Sequence, residues 1–353
     1  MPQLAVRTRS GRVESVHDGY ICVTDSDKKL VHSIGSPDAA IFMRSAGKPL
    51  IAVTFVRSGA LEKFDISLKE LAVMCSSHEG QAFHRRAILS ILKKIGLSEK
   101  DLECGHKYPE SEQVHDALVK LDKRPTPIFS NCSGKHAGML ALCRFYDFPV
   151  KGYTDPGHPL QQLVKKTMAE LLECDEKDVI TGTDGCTLPT YLLTLRQASW
   201  LYARLGGGYE DAGFGKCFGL IKKAMMAYPR YIHGDDTFGT DLAVCSGGKV
   251  IGKLGAEGGF CMAIPGKRLG VCLKLSDGHP WASFPVAASV LEQLGILDGN
   301  EVKRLSKWAL PEVADDKGNT VGYIHPTFNI LENHTSEYKP GDIYPAADGT
   351  GIN

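Results

Sequence analysis

The chain has 353 residues, 43% of them hydrophobic, and 41 basic against 41 acidic side chains, so its formal charge is zero. That length suits one large catalytic unit with two lobes, and a neutral balance without basic runs argues against nucleic acid or an anionic membrane as partner. No apolar stretch approaches the roughly 20 residues of a membrane helix. The N-terminus shows no apolar export segment, and 11 dispersed cysteines without a C-x-x-C fit reduced thiols in a cytoplasmic protein.

In chain order, Leu4 to Arg9, Arg12 to Val16 and Tyr20 to Thr24 predict short strands, with turns at Ser10-Gly11, Asp18-Gly19 and Asp25-Ser26-Asp27. Ala39 to Met43 reads as a buried strand. The run Leu50 to Val56 behind Pro49 predicts an apolar helix that starts near Ser45 and ends near Gly59. Further helices are expected over 68–74, 84–95, 113–121, 136–145, 159–172, 189–205 and 214–227, two of them opening on Pro159 and Pro189. Strands return over 242–245, 250–253, 260–264 and 269–275. Helices near 281–294 and 301–305 follow, and the tail after Pro311 reads as loop with one weak strand. Strands at both ends with helices between predict an α+β fold, one antiparallel sheet built from both termini. The expected organisation is a single catalytic unit, 1–353. Residues 1–48 plus 242–353 would form a sheet lobe and 49–241 a helix-rich lobe.

Ser45-Ala46-Gly47-Lys48 carries the sharpest chemistry. On a helix, a lysine three residues after a serine lies on the same face, and a neutral amine there can take the hydroxyl proton. Four other S-x-x-K matches, at Ser26, Ser90, Ser246 and Ser336, lie in turns, inside a helix or in the tail. Only Ser45 stands between an expected strand and an expected helix, where the bland alternative is an N-cap serine. The S-x-x-K element resembles that of β-lactamases and penicillin-binding proteins, and Lys253-Leu254-Gly255 resembles their K-T-G with Leu for Thr.

Three polar segments accompany it. Cys75 to Gly80 follows an apolar helix. Phe129 to Met139 gathers a thiol, a hydroxyl, an amine and an imidazole beside glycines. Thr181 to Pro189 reads as a Gly-rich loop opening a helix, a setting that can hold an anion. Each could instead be a decorated turn. Metal binding is not specified by spacing, since neither H-E-x-x-H nor a paired C-x-x-C occurs.

Taken together, Glu14-Ser15-Val16-His17, Arg44 to Pro49, Ser76-Ser77-His78, Asn131 to Met139, Asp184-Gly185-Cys186 and Gly252 to Gly258 resemble the L-asparaginase II family, the rhizobial-type or class 3 asparaginases. The resemblance runs in order over about residues 5 to 345. It implies hydrolysis of L-asparagine to L-aspartate and ammonia, a serine β-lactamase-like fold and a homodimer. It implies two Ser–Lys tandems, Ser45 with Lys48 and Ser77 with Lys253. It further implies a Zn2+ site of Cys132, Lys135 and Cys186, with Asp184 holding a metal-bound water. Arg44, His136 and Asp184 are assigned to substrate binding. The order His78-Glu79-Gly80-Gln81 departs from the family's His-x-Gly-Glu. The implied mechanism is attack by Ser45 Oγ on the side-chain amide, with Lys48 as base and Ser77 and Lys253 relaying protons. The alternatives are a related amidohydrolase (glutaminase or β-lactamase-like) and a non-enzymatic zinc or thiol module.

Overall fold

The computed structural model describes residues 1–345. Strands β1 (Gln3–Arg9), β2 (Arg12–Asp25), β3 (Leu30–Ile34) and β4 (Ala40–Phe42) come first. Helices α1 (Lys48–Ser58), α2 (Ala60–Lys63), α3 (Leu68–Met74), α4 (Ala82–Lys94), α5 (Glu112–Lys120), α6 (Ser133–Tyr146) and α7 (Pro159–Leu172) follow. After strands β5 (Thr181–Thr183) and β6 (Pro189–Thr194) come α8 (Leu195–Gly207), α9 (Gly215–Ala227), α10 (Pro229–His233) and α11 (Phe238–Cys245). The C-terminal part holds β7 (Ile251–Leu254), β8 (Gly259–Ile264), β9 (Leu269–Leu275), α12 (Pro280–Gln293), α13 (Gly299–Arg304) and α14 (Ser306–Ala309). The last strands are β10 (Glu312–Ala314), β11 (Thr320–Pro326), β12 (Phe328–Asn329) and β13 (His334–Thr335).

The chain forms two compact units: residues 1–41, 194–203 and 241 onward in one, 42–193 and 204–240 in the other. Residues 194–203, mostly the start of α8, belong to the same unit as the sheet. Residues 346–353, counted in the sheet lobe from sequence, lie outside the described residues. In the sheet unit the strand order is β10-β11-β1-β2-β9-β8-β7, with β3 also on β2. Each pairing along it is antiparallel, so the sheet is built from both termini and the fold is α+β. Helix α12, with Val286, Ala287, Val290 and Leu291 buried, packs on β1, β8, β9 and β11. The start of α8 is tied to β2 and β9 through Ser199, whose Oγ accepts from Thr24 N–H (3.0 Å) and donates to Gly270 O (2.7 Å). A Cβ at Gly270 would stand 1.8 Å from Ser199 O, so only glycine lets this helix sit so close.

The helical unit is built around α1, buried from Lys48 to Val56 and flanked by α3, α6, α7 and α9. A helix apolar on all sides belongs in the centre of a bundle. Gly59 closes it in the left-handed region (φ 85°), as a C′ glycine does.

Several expectations are corrected. Asp18-Gly19 lies inside the continuous strand β2 rather than in a turn. Residues 39–43 give only a three-residue strand in which Ile41 alone is buried. The helix expected over 189–205 starts as strand β6, and the helix proper begins after Thr194. There Thr194 and Gln197 form reciprocal side-chain to backbone hydrogen bonds, a T-x-x-Q capping box written in the sequence. Residues 242–245, expected as a strand, end helix α11; four apolar residues cannot distinguish the two. The tail holds two outer strands of the main sheet, β10 and β11, not loop.

Candidate active site

Helix α1 is entered through a strained turn. Met43 N–H donates to Tyr191 O (2.9 Å). Arg44 then adopts a left-handed backbone (φ 45°), with its N–H on Thr190 Oγ1 (3.0 Å) and its Nε on Asp184 Oδ1 (2.7 Å). Ser45 is half-buried on the 3-10 turn Arg44–Gly47. Gly47 occupies the N-cap of α1 and no side chain caps it, so Ser45 is not the capping serine of the bland reading. The Ser45 carbonyl instead accepts from Lys48 N–H.

Lys48 is completely buried. Its Nζ donates to Ser76 O (2.6 Å), Ser77 Oγ (3.0 Å) and Asn131 O (3.2 Å). Two of these partners are carbonyls that can only accept. An ammonium would give all three a proton. A neutral amine would give protons to the two carbonyls and turn its lone pair to the Ser77 hydroxyl, which makes it a base. Among the described residues, Ser45 Oγ is not one of the Lys48 hydrogen-bond partners.

The cage closes because α6 meets the end of α3. A Cβ at Gly134 would lie 2.0 Å from Val73 O, so this crossing requires glycine. It sets the Ser76–Ser77 segment beside Asn131 and Cys132. His78 stands behind: its Nδ1 accepts Gly80 N–H (3.0 Å), so Nε2–H donates to Ser133 Oγ (2.8 Å), which donates to Ile128 O (3.0 Å). Burial, then the nearby His84, holds His78 well below the usual imidazole range, so it stays neutral. The departure at Gln81 has a local use, since Gln81 Oε1 accepts Asp235 N–H (3.0 Å).

Cys132, Asp184 and Cys186 form the second cluster, all buried, with one ligand atom each within 4.8 Å of the others. Lys135 Nζ is 3.2 Å from Cys186 Sγ and 3.8 Å from an Asp184 oxygen. Helix α6 supplies Cys132 at its N-cap and Lys135 one turn later. The β5–β6 turn supplies Asp184 and Cys186; it is a hairpin, which corrects the expected helix-opening loop. Thr187 holds φ 76° there, the only β-branched residue among the described ones with a left-handed backbone, anchored by Oγ1 on Glu103 O (3.0 Å). Such strain persists only where surrounding structure imposes it.

The charges are coupled. The hydrogen bond from Cys132 pulls the Cys186 thiol down to about 5, against burial, with help from Lys135. The same bond, then burial, pushes Cys132 up to about 12. Burial would depress Lys135, but Cys186, Cys132 and Asp184 reverse this and hold it above the usual lysine range. Asp184 is kept low by Lys135 and Arg44 although burial opposes it. Two sulfurs, a carboxylate and an amine suit a borderline-soft divalent ion, provided Lys135 gives up its proton.

His136 is fully buried, its Nδ1 on Tyr153 Oη (2.7 Å), and burial lowers it to about 3. Tyr153 Oη also accepts Glu103 N–H (2.9 Å). Lys253 stands in the other unit, on the edge strand β7, completely buried, with Nζ donating to Leu254 O (2.9 Å). The structure thus gathers Arg44, Ser45, Lys48, Ser77, Cys132, Lys135, His136, Asp184 and Cys186 in the helical unit. Thr187, Thr190, Tyr153 and the carbonyls of Ser76 and Asn131 were not foreseen. Backbone acceptors leave no trace in a sequence; Tyr153, between Gly152 and the Asp155-Pro156-Gly157 turn, leaves only a faint one.

No relative was found among the curated proteins. Among solved structures, a candidate beta-lactamase from Bacteroides dorei DSM 17855 is 12% identical with a TM-score of 0.40, over 82% of this chain and 93% of that one. Mglu in its native form at 4.3 M NaCl is 15% identical with a TM-score of 0.38, over 80% of this chain and 62% of that one. At these scores the likenesses carry no weight for function, and the α+β assignment stands on the strand order itself. The family model for L-asparaginase II matches residues 5–326. The chain belongs to the L-asparaginase II family and is an amidohydrolase.

Proposed function

We propose that the chain hydrolyses the side-chain amide of L-asparagine through a Ser–Lys nucleophile. The observation that supports this most directly is Lys48, buried and hydrogen-bonded to two carbonyls and the Ser77 hydroxyl, one turn beyond Ser45. Ser45 Oγ attacks the amide carbon while Lys48 takes its proton. The C–N bond breaks, the proton passes from Lys48 through Ser77 to the leaving nitrogen, and ammonia departs from a β-aspartyl ester on Ser45. Water hydrolyses the ester to aspartate. Catalytic contacts often tighten only around bound substrate, so the open Ser45–Lys48 contact is compatible with this role. Arg44, His136 and Asp184 are assigned to the substrate's polar ends.

Cys132, Lys135 and Cys186, with Asp184, are the residues that would hold Zn2+. A bound zinc ion supplies Lewis-acid polarisation of a substrate oxygen. The assembly expected from the family is a homodimer, read by sedimentation.

The test is ammonia release from L-asparagine by wild type, Ser45→Ala and Ser77→Ala, with L-glutamine and a chromogenic β-lactam as rival substrates. Ser45→Ala abolishes turnover and the aspartyl adduct in intact mass, while Ser77→Ala slows turnover and keeps the adduct. An adduct that persists in Ser45→Ala and vanishes in Ser77→Ala exchanges the two roles. Turnover of a rival in place of asparagine overturns the substrate.

A further inference from the structure

We infer that Cys132 and Cys186 are a peroxide-oxidisable dithiol, which closes to an intramolecular disulfide when no metal holds the two sulfurs apart. The two sulfurs lie within 4.8 Å of each other on separate elements, α6 and the β5–β6 turn, and each residue keeps 5% exposure. Lys135 Nζ donates to Cys186 Sγ at 3.2 Å, so Cys186 is the sulfur of the pair with an amine beside it. Cys132 is the neighbouring thiol placed to resolve it.

A second pair shows what is missing elsewhere. Cys261 and Cys272 are directly opposed on β8 and β9 with their sulfurs 3.5 Å apart, closer than the first pair needs to be. They are 1% and 0% exposed, and no cation donates to them among the described hydrogen bonds. A sealed thiol without a neighbouring cation is inert, so proximity alone does not make a reactive site. Cys174, exposed, and Cys245, half-buried, have no thiol partner identified among the described contacts.

The chemistry balances with hydrogen peroxide as oxidant. The Cys186 sulfur attacks one peroxide oxygen, the O–O bond breaks, a sulfenic acid forms, and the Cys186 thiol proton leaves with the other oxygen as water. The Cys132 sulfur then attacks the sulfenic sulfur, the S–O bond breaks, and the Cys132 thiol proton leaves with that oxygen as the second water. The sum is two thiols and one peroxide to one disulfide and two waters. The disulfide removes both sulfur ligands, so bound zinc and oxidation exclude each other. That exclusion rests on the metal reading above; the linkage itself does not.

The test treats the full chain, freed of metal by chelator, with hydrogen peroxide, then alkylates, digests and weighs the peptides. The expected product is a Cys132–Cys186 linked pair lighter by two hydrogens, with two thiols lost from the 11 and regained with dithiothreitol. In Cys132→Ser the sulfenic acid persists and is trapped by dimedone on Cys186. Oxidation confined to Cys174, Cys245 or the Cys261–Cys272 pair overturns the proposal, as does a dimedone adduct that avoids Cys186. Equal linkage with saturating Zn2+ overturns the exclusion. Because the linkage is read by mass, its absence leaves asparagine hydrolysis standing, and failed hydrolysis leaves the linkage tested.

Discussion

Lys48 and Lys135 are two buried lysines of one unit, 0% and 2% exposed, yet their surroundings are opposite. Lys48 meets two carbonyls and a hydroxyl, all neutral. Lys135 meets a thiol drawn toward its thiolate and a carboxylate held low. An amine among neutral acceptors can release its proton without leaving an anion uncompensated. An amine beside two anions is held as their counter-ion until another cation replaces it. Burial alone therefore does not assign a lysine its chemistry; the charge of what it touches does.

The sharpest way to break this contrast is to remove each amine. Lys48→Met is expected to lower ammonia release by about 10²–10⁴-fold, the usual worth of a positioned general base. Circular dichroism should show the fold retained. Lys135→Met is expected to act on stability instead, costing about 3–5 kcal/mol in the metal-free protein, because Cys186 and Asp184 lose their buried counter-charge. Urea midpoints measure it. Equal activity losses with unchanged stability in both variants would erase the distinction.

Metal addition sharpens the same contrast. If a divalent ion takes over from the Lys135 proton, zinc at 100 times its dissociation constant should stabilise the chain by about 2.7 kcal/mol. The gain should vanish in Cys186→Ser and survive in Lys48→Met. A thermal shift that ignores Cys186 would place the ion elsewhere.

These two clusters also show where sequence reading works. The sheet strands alternate or run β-branched, so 269–275 was legible to the residue, and the Pro-led helix Pro159–Leu172 was as well. Segments such as 189–194 and 242–245 were not, because a short apolar run fits strand or helix until its neighbours decide. The place between an expected strand and an expected helix singled out Ser45 and Lys48 among five S-x-x-K matches, and polar density beside glycine flagged Cys132 to His136. What neither could supply was the partner set. The Lys48 cage is two-thirds main-chain carbonyl, and Cys186 meets Lys135 from a hairpin turn in which Thr187 holds a conformation its side chain disfavours.

Behind the Lys48 cage, His78 and His84 stack at 5.2 Å, and their state gives the effect that is smallest per step of the measurement, one pH unit at a time. Burial first, partly offset by the hydrogen bond to Arg230 O, lowers His84 to about 4. An unfolded histidine takes up its proton near pH 6.5. The folded chain, refusing it, keeps its full stability above about pH 6.5 and loses it as the pH falls toward 4. The loss approaches 1.4 kcal/mol per pH unit for each such histidine. The carboxylates held low, Asp211 among them, add their own loss only below the usual carboxylate range, so the window from 6.5 to 4 belongs largely to the neutral groups. Urea midpoints measured across it should slope downward in the wild type, and the slope should be shallower in His84→Gln, which keeps a donor for Arg230 O and has nothing to protonate. Parallel slopes would mean that His84 is charged in the folded chain, and that the wall behind Lys48 is not the neutral surface its hydrogen bonds describe.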